Sequence, residues 1–252
     1  NHPAELAIHS FLQNVMLGKA SMDKDILDLI SKDVRDALGR QFSGEKKEFK
    51  LRMSNIGRKK CQLWFEKNHP GEKISDSPYF LINMILGDII EAVFKGLLRA
   101  ADVKFDDSEQ VSLPIKGGHV DGTYDLVLNG KVDDVKSASP WAYENKFTDF
   151  ETLQGKDSFG YVSQLVGYAK AKGVPVGGWW VVNKANGNFK YVSASGVDTE
   201  EELKKIQDTV DYINNDEPFE RCYEPVAETY YGKPSGNMKL GIECSFCSYR
   251  EK

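Results

Sequence analysis

Gly122-Thr-Tyr-Asp125-Leu-Val-Leu-Asn129-Gly130-Lys-Val-Asp133-Asp134-Val-Lys136 is the stretch on which the reading of this chain turns. Asn129 and Gly130 both tolerate the positive φ of a type I′ turn, and the flanking runs are apolar and β-branched, so the segment predicts a two-residue β-hairpin. Such a turn pairs Leu128 with Lys131 and, counting back along both strands, Asp125 with Asp134. The strand period of two puts Lys136 on the same face and turns Asp133 to the other. Two carboxylates and an ammonium therefore converge. Directly opposed like charges are normally avoided, and at about 4–5 Å they repel by roughly 3–4 kcal/mol at an effective dielectric of 20. A cation must compensate. Lys136 alone would make this a satisfied surface charge cluster, whereas Mg2+ or Mn2+ held by hard oxygens would make it a metal centre; the hairpin by itself leaves both open.

Working outward, residues 110–115, 118–128 and 131–137 read as strands, a helix follows over 160–172, and 177–182 with 189–192 form a strand pair about Asn186-Gly187. The segment 200–214, with Leu203, Ile206, Val210 and Ile213, is an amphipathic helix. Upstream, helical spacing runs through 5–17 and 26–42, Ser54 opens a short helix through Cys61 and Trp64 that His69-Pro70-Gly71 ends, and Ser77-Pro78 opens a long apolar helix reaching about Ala101. With Ile82, Leu86, Ile89, Val93 and Leu97 along one side, that helix is expected to be largely buried. The order predicts one mixed α/β core with helical additions, divided as 1–76 (helical region with a basic patch and Cys61), 77–195 (core) and 196–252 (helix and cysteine segment), all packed as one domain.

The 252 residues, 40% hydrophobic and 28% charged, fit a soluble globular protein and not a disordered or fibrous one. No run approaches the roughly 20 apolar residues of a membrane span, and the opening Asn1-His2-Pro3-Ala4 is not a signal peptide, so a cytoplasmic location is expected. The missing initiator Met leads us to expect that the natural chain starts upstream. A net charge of −5 argues weakly against nucleic acid, but local patches matter more than the total. Lys46, Lys47, Lys50, Arg52, Arg58, Lys59 and Lys60 make one such patch, which taken alone reads as a solvated face.

Glu91 lies on the side of the long helix that carries Met84, Gly87, Phe94 and Leu98. An unpaired charge among apolar neighbours is costly, so Glu91 either reaches past them to water or has an internal partner, and the hairpin site is a candidate. At this point a family resemblance becomes visible. Gly122-Thr-Tyr-Asp125 followed by Asp134-Val-Lys136 resembles the motif pair of the PD-(D/E)XK nucleases in their RecB-like branch. Gly87-Asp-Ile-Ile-Glu91 resembles the preceding helix motif, and Gln164-Leu-Val-Gly-Tyr168 the Q-x-x-x-Y motif, so the likeness spans residues 54–184. Where many RecB-like enzymes have His, this chain has Glu91, as lambda exonuclease-like members do. Asp121, within Gly118-His-Val-Asp121, is the alternative to Asp125 if the turn is longer.

Cys244-Ser-Phe-Cys247 has ligand spacing, which in a cytosolic protein points to metal or redox chemistry. With Cys61 it resembles the iron-sulfur exonucleases of that branch, the CRISPR-associated nucleases and their phage relatives, in which one early Cys joins three late ones on a [4Fe-4S] cluster. The fourth ligand is then Cys222 or lies beyond Lys252. Zinc is the alternative, and a small buried hydrophobe is the plain reading of Cys222 and Cys61.

The resemblance implies a restriction-endonuclease-like sheet core and a metal-dependent exonuclease acting on DNA with free ends, of phage type and working in recombination, repair or DNA processing. A helicase or recombination partner and a host-cytoplasm setting are compatible with it. It implies Glu91, Asp125, Asp134 and the Val135 carbonyl as ligands of Mg2+ or Mn2+, Lys136 as the residue that orients or deprotonates water, and Gln164 and Tyr168 as positioning residues, Tyr168 being otherwise plain core. Arg52, Arg58, Lys59, Lys60, Lys146 and Lys184 are the candidate phosphate contacts. A catalytically silent nucleic-acid-binding module and a structure-specific endonuclease on the same core are the alternatives. His2, His9, His69 and His119 make no ligand-spaced cluster, which argues against another class of metalloenzyme.

Overall fold

In the computed structural model, residues 2–45, 48–74, 77–245 and 247–250 are described. The hairpin forms as its turn chemistry dictates: Asn129 (φ 52) and Gly130 (φ 72) join β2 (Gly118–Leu128) to β3 (Lys131–Ala138). The register is the expected one, with Leu128 opposite Lys131 and Leu126 opposite Asp133. Pairing ends at that last pair, so the two strands separate at the level of Asp125 and Asp134. The latter residue belongs to the parallel ladder with β4 (Val176–Asn183), opposite Trp179.

Together with β1 (Phe105–Ile115) and β5 (Phe189–Ser193), these strands make a five-stranded mixed sheet in the order β1-β2-β3-β4-β5, in which only β3 and β4 run parallel. A parallel pair needs a long crossover. Here it is supplied by α5 (Pro140–Asn145), α6 (Phe150–Gly155) and α7 (Tyr161–Lys172). The first two were not foreseen; each is a short turn started by a capping side chain, Ser139 accepting from the Ala142 N–H (3.2 Å) and Asp149 from the Thr152 N–H (2.8 Å).

The two sheet faces bury different helices. On one, Leu126, Leu128, Val135 and Trp180 pack with Ile8 of α1 (Pro3–Met16) and Phe94 and Leu98 of α4 (Pro78–Ala100). On the other, Val127, Val132, Trp179 and Val181 pack with Leu165 and Tyr168 of α7 and Ile206 and Val210 of α8 (Thr199–Asn214). Core burial of this kind stabilises by about 1.5–3 kcal/mol per large side chain. The helix α2 (Lys24–Gln41) packs along α4, and the two approach closely at Gly96, since a Cβ there would meet Ile30 at 2.3 Å. The short helix α3 (Lys60–Asn68) packs its Leu63 against Tyr212 and Ile213 of α8.

Two expectations require correction. The long helix is not largely buried: Ile82, Leu86 and Val93 are exposed, along with Tyr79, Phe80 and Met84. The helix is apolar on nearly every side, and the side that meets the protein carries Ile85, Ala92, Phe94 and Leu98 instead. The C-terminal segment also holds an unforeseen hairpin, β6 (Val226–Tyr230) and β7 (Lys233–Lys239), turned by Tyr231 (φ 47) and Gly232 (φ 75). Its strands are almost wholly exposed, so no alternation of core and surface residues announces them. No helix among the described residues is long and apolar enough to cross a membrane.

Candidate active site

Where β2 leaves β3, side chains occupy the gap that the ladder vacates. The Val135 N–H donates to Asp125 Oδ2 at 2.7 Å. Asp134 is buried, with the Lys136 ammonium 2.6 Å from its Oδ2. Among the described residues, that ammonium is the one polar partner of this oxygen. Lys136 donates in turn to Gln164 Oε1 (3.3 Å), and the Gln164 side-chain amide donates to the Tyr168 hydroxyl (3.2 Å). Gln164 and Tyr168 are one turn apart on α7 and so face the sheet together. Two glycines permit this approach, since a Cβ at Gly167 would meet the Met53 sulfur at 2.3 Å and one at Gly122 would meet the Tyr168 ring at 2.7 Å.

Glu91 faces the cluster from α4. Its nearest cation is Lys95, one turn along the helix at 3.7 Å, and the buried Lys95 is also paired with Asp107 at 2.5 Å. Of the two readings of its sequence context, both hold in part: Glu91 has an internal partner, from α4 itself, and its side chain is still 32% exposed. Burial raises the Glu91 carboxyl above its ordinary range; Lys95 opposes the shift and Asp134 adds to it. Asp125 is raised further, by burial and then by the Asp134 and Glu91 carboxylates. For Lys136, burial works to lower the ammonium, but Asp134 and Asp125 outweigh it and hold the group protonated. The cluster is thus short of positive charge.

The remaining candidates divide. Asp121 is engaged elsewhere, accepting from Ser112 (2.6 Å) and Lys50 (2.9 Å), so the carboxylate facing Asp134 is Asp125. Arg58 is paired with Glu66 at 3.3 Å, Lys184 donates to Asn83 at 2.9 Å, and Arg52 bridges β2 at Asp121 through its backbone. Lys59 is exposed, and the Lys60 ammonium lies 5.4 Å from the Tyr212 ring centre. Lys46 and Lys47 lie outside the described residues. Lys146 is not a surface contact but a buried lysine against the Tyr161 ring, which Lys136 also approaches. Tyr161 was not foreseen; its position at the first turn of α7, three residues before Gln164, was the available signal.

Asp133, on the opposite face of β3, accepts from the Gly178 N–H (2.9 Å), Trp180 Nε1 (3.0 Å) and the Tyr191 hydroxyl (3.0 Å). Burial lifts its carboxyl to about 7 against those donors.

Beside the first turn of α3, Cys61, Cys222, Cys244 and Cys247 line one cavity of about 130 Å³ together with Phe65, Phe219 and Tyr249. The Cys61 N–H donates to the Cys222 sulfur at 3.1 Å. Hydrogen bonding from the Cys61 thiol draws Cys222 down to about 6, and the same contact pushes Cys61 up. Cys222 is therefore a member of this group and not an isolated core residue. Among the described residues, no three His, Cys, Asp or Glu side chains are already gathered as a metal site, so an ion at either centre would have to draw its ligands together.

No family model matches the chain, and neither does any curated protein. Among solved structures it is similar to the crystal structure of SSO0001, with a TM-score of 0.44 and 13% sequence identity over 91% of this chain and 96% of that one.

Proposed function

We propose that this chain is a divalent-metal-dependent nuclease that hydrolyses DNA from its ends. The observation that carries the reading is a group of three carboxylates, Asp134, Asp125 and Glu91, gathered where two strands separate, with Lys136 the ammonium against Asp134. Hard oxygen donors short of positive charge fit Mg2+ or Mn2+. Glu91, Asp125, Asp134 and the Val135 carbonyl would hold the ion, which when bound lowers the pKa of water and offsets charge on the phosphate. Lys136, held as an ammonium, orients the attacking water and stabilises the developing negative charge. Gln164 fixes Lys136, and Tyr168 fixes Gln164.

The test is digestion of end-labelled linear and closed circular DNA, single and double stranded, with Mn2+, Mg2+ or EDTA. Metal-dependent loss of linear substrates alone supports the exonuclease. Loss of circles moves the reading to an endonuclease on the same core, and binding without cleavage under every metal condition moves it to a silent binding module.

The four-cysteine cavity carries a second assignment, a [4Fe-4S] cluster with Cys61, Cys222, Cys244 and Cys247 as thiolate ligands and zinc as the alternative. Phosphodiester hydrolysis needs no electron, so the group would clip α3 to the C-terminal segment. Iron, sulfide and zinc analysis of anaerobically purified protein decides between them, and protein free of all three removes the assignment.

A further inference from the structure

Lys146 is 6% exposed, yet among the described residues no carboxylate or other acceptor pairs with its ammonium. What surrounds it is aromatic: the Nζ atom lies 4.5 Å from the ring centre of Tyr161, 4.8 Å from that of Phe159 and 5.9 Å from that of Phe147. These rings form a stack, Phe159 with Tyr161 at 5.6 Å and Phe147 with Tyr161 at 5.8 Å. The Lys136 ammonium lies against the same Tyr161 ring, 5.0 Å from its centre, so the stack runs from the Asp134–Lys136 pair outward. Its outer member is open to solvent, with Phe159 58% exposed.

The exposure of Phe159 is not that of a loose loop. Gly57 and Gly160 are in backbone contact, since a Cβ on either would fall within 2.5 Å of the other's main chain. The Asp157 carboxylate accepts from the N–H groups of Gly160 and Val162, both at 2.9 Å. Phe159 is therefore held out by a fixed turn. The cationic character continues beyond it, with Lys156 bonded to the Asn145 carbonyl at 2.7 Å and lying over the exposed Trp141 ring.

We infer that Lys146 binds a phosphate of the substrate strand next to the scissile one, and that Phe159, stacked on Tyr161, receives the base of the same nucleotide. An ammonium on a buried stem with no hydrogen-bonded anion among the described residues gains most from an incoming phosphate, and an exposed aromatic ring on a rigid support offers a sequence-tolerant stacking platform. Burial also lowers the Lys146 ammonium below its ordinary value, with Lys136 adding to the effect and Asp157 opposing it. This inference rests on the nuclease reading for its substrate, but its test does not depend on cleavage.

Equilibrium binding of a fluorescein-labelled single-stranded oligonucleotide is measured in EDTA across a salt series for the wild type, Lys146→Met, Lys146→Arg, Phe159→Leu and Phe159→Trp. Methionine keeps the packed stem and removes the charge, whereas leucine keeps apolar volume and removes the stacking face. Expected are about tenfold weaker binding for Lys146→Met, a log K against log salt slope shallower by about 0.7, and recovery with Lys146→Arg. Phe159→Leu is expected to bind at least about fivefold more weakly, as loss of one stacked base costs about 1 kcal/mol or more, and Phe159→Trp to bind as the wild type does. Wild-type affinity and salt slope in Lys146→Met overturn the phosphate assignment, and wild-type affinity in Phe159→Leu overturns the platform. A wild type that fails to bind the oligonucleotide overturns both. A wild type that binds with these dependences but cleaves nothing leaves this inference standing and removes the nuclease reading instead.

Discussion

The two faces of β3 carry neighbouring carboxylates that meet opposite fates. Asp133, on the face toward α1 and α4, is 1% exposed and accepts three hydrogen bonds. Asp134, on the face toward α7, is 3% exposed, and its Oδ2 is met by the Lys136 ammonium alone among the described residues. Burial alone therefore does not separate a structural acid from a functional one; the inventory of donors does. A fully bonded buried carboxylate locks strands together, whereas one met by a single ammonium keeps acceptor capacity for a further cation. The largest expected effect tests that contrast on the Asp134 side. Asp134→Ala and Lys136→Ala each lower the cleavage rate at least about 10³-fold, corresponding to roughly 4 kcal/mol of lost transition-state stabilisation. The unfolding free energy of Asp134→Ala from urea titration stays within about 1 kcal/mol of the wild type. A variant that cleaves normally would place the chemistry elsewhere.

On the other face the order reverses. Asp133→Ala leaves the Gly178 N–H, Trp180 Nε1 and Tyr191 hydroxyl facing a void, and the expected loss is about 3 kcal/mol of folding stability. Cleavage by the folded fraction falls much less than in Asp134→Ala. Urea titrations beside rates measured well below the unfolding midpoint separate the two quantities. Equal rate losses in Asp133→Ala and Asp134→Ala would erase the distinction between the faces.

How much of this was legible in the sequence follows from how local each cause is. The hairpin register, the shared face of Asp134 and Lys136, and the opposite aim of Asp133 all follow from Asn129-Gly130 and the period of a strand. Gln164 and Tyr168 follow from a helical turn. The early end of β2–β3 pairing does not, because it results from β3 taking β4 as its parallel partner. The burial of α4 was misread because its residues are apolar on both sides, so periodicity could not choose between a face toward Phe94 and one toward Val93. Lys146 was legible as a cation but not as a buried one: its setting is made by Phe159 and Tyr161, which approach it only through the turn at Gly160. Cys222 lacks ligand spacing, and only the packing of α3 against the C-terminal segment brings it to Cys61.

That turn provides a third way to sharpen the comparison. Gly160 has φ 79, and a Cβ there would stand 2.2 Å from the backbone of Gly57. Backbone cannot yield as a flexible side chain can, so Gly160→Ala is expected to cost about 2 kcal/mol in folding stability. Because α7 begins at Tyr161, the shift reaches the Asp134 face and not the Asp133 face. Cleavage is therefore expected to fall about tenfold at a temperature where the variant is still folded, while the near-ultraviolet signal of the Trp180 environment is retained. Loss of that signal with full cleavage would mean that the two faces are not independently supported.

The smallest effect belongs to the turn that both faces share. Gly130 has φ 72 and open space around the position a Cβ would take. Gly130→Ala therefore introduces backbone strain alone, about 1 kcal/mol, without a clash. The register is held beyond the turn by the pairs Val127 with Val132 and Leu126 with Asp133, and a slip by one residue would exchange the two faces entirely. Since such an exchange would bring Asp133 into the gap and bury Lys136 against α4, the fold has no neighbouring register to relax into. Gly130→Ala should accordingly lower the urea midpoint slightly and leave cleavage unchanged. A rate loss as large as that of Asp134→Ala would show that the turn, and not the two core pairs, sets which carboxylate faces α7.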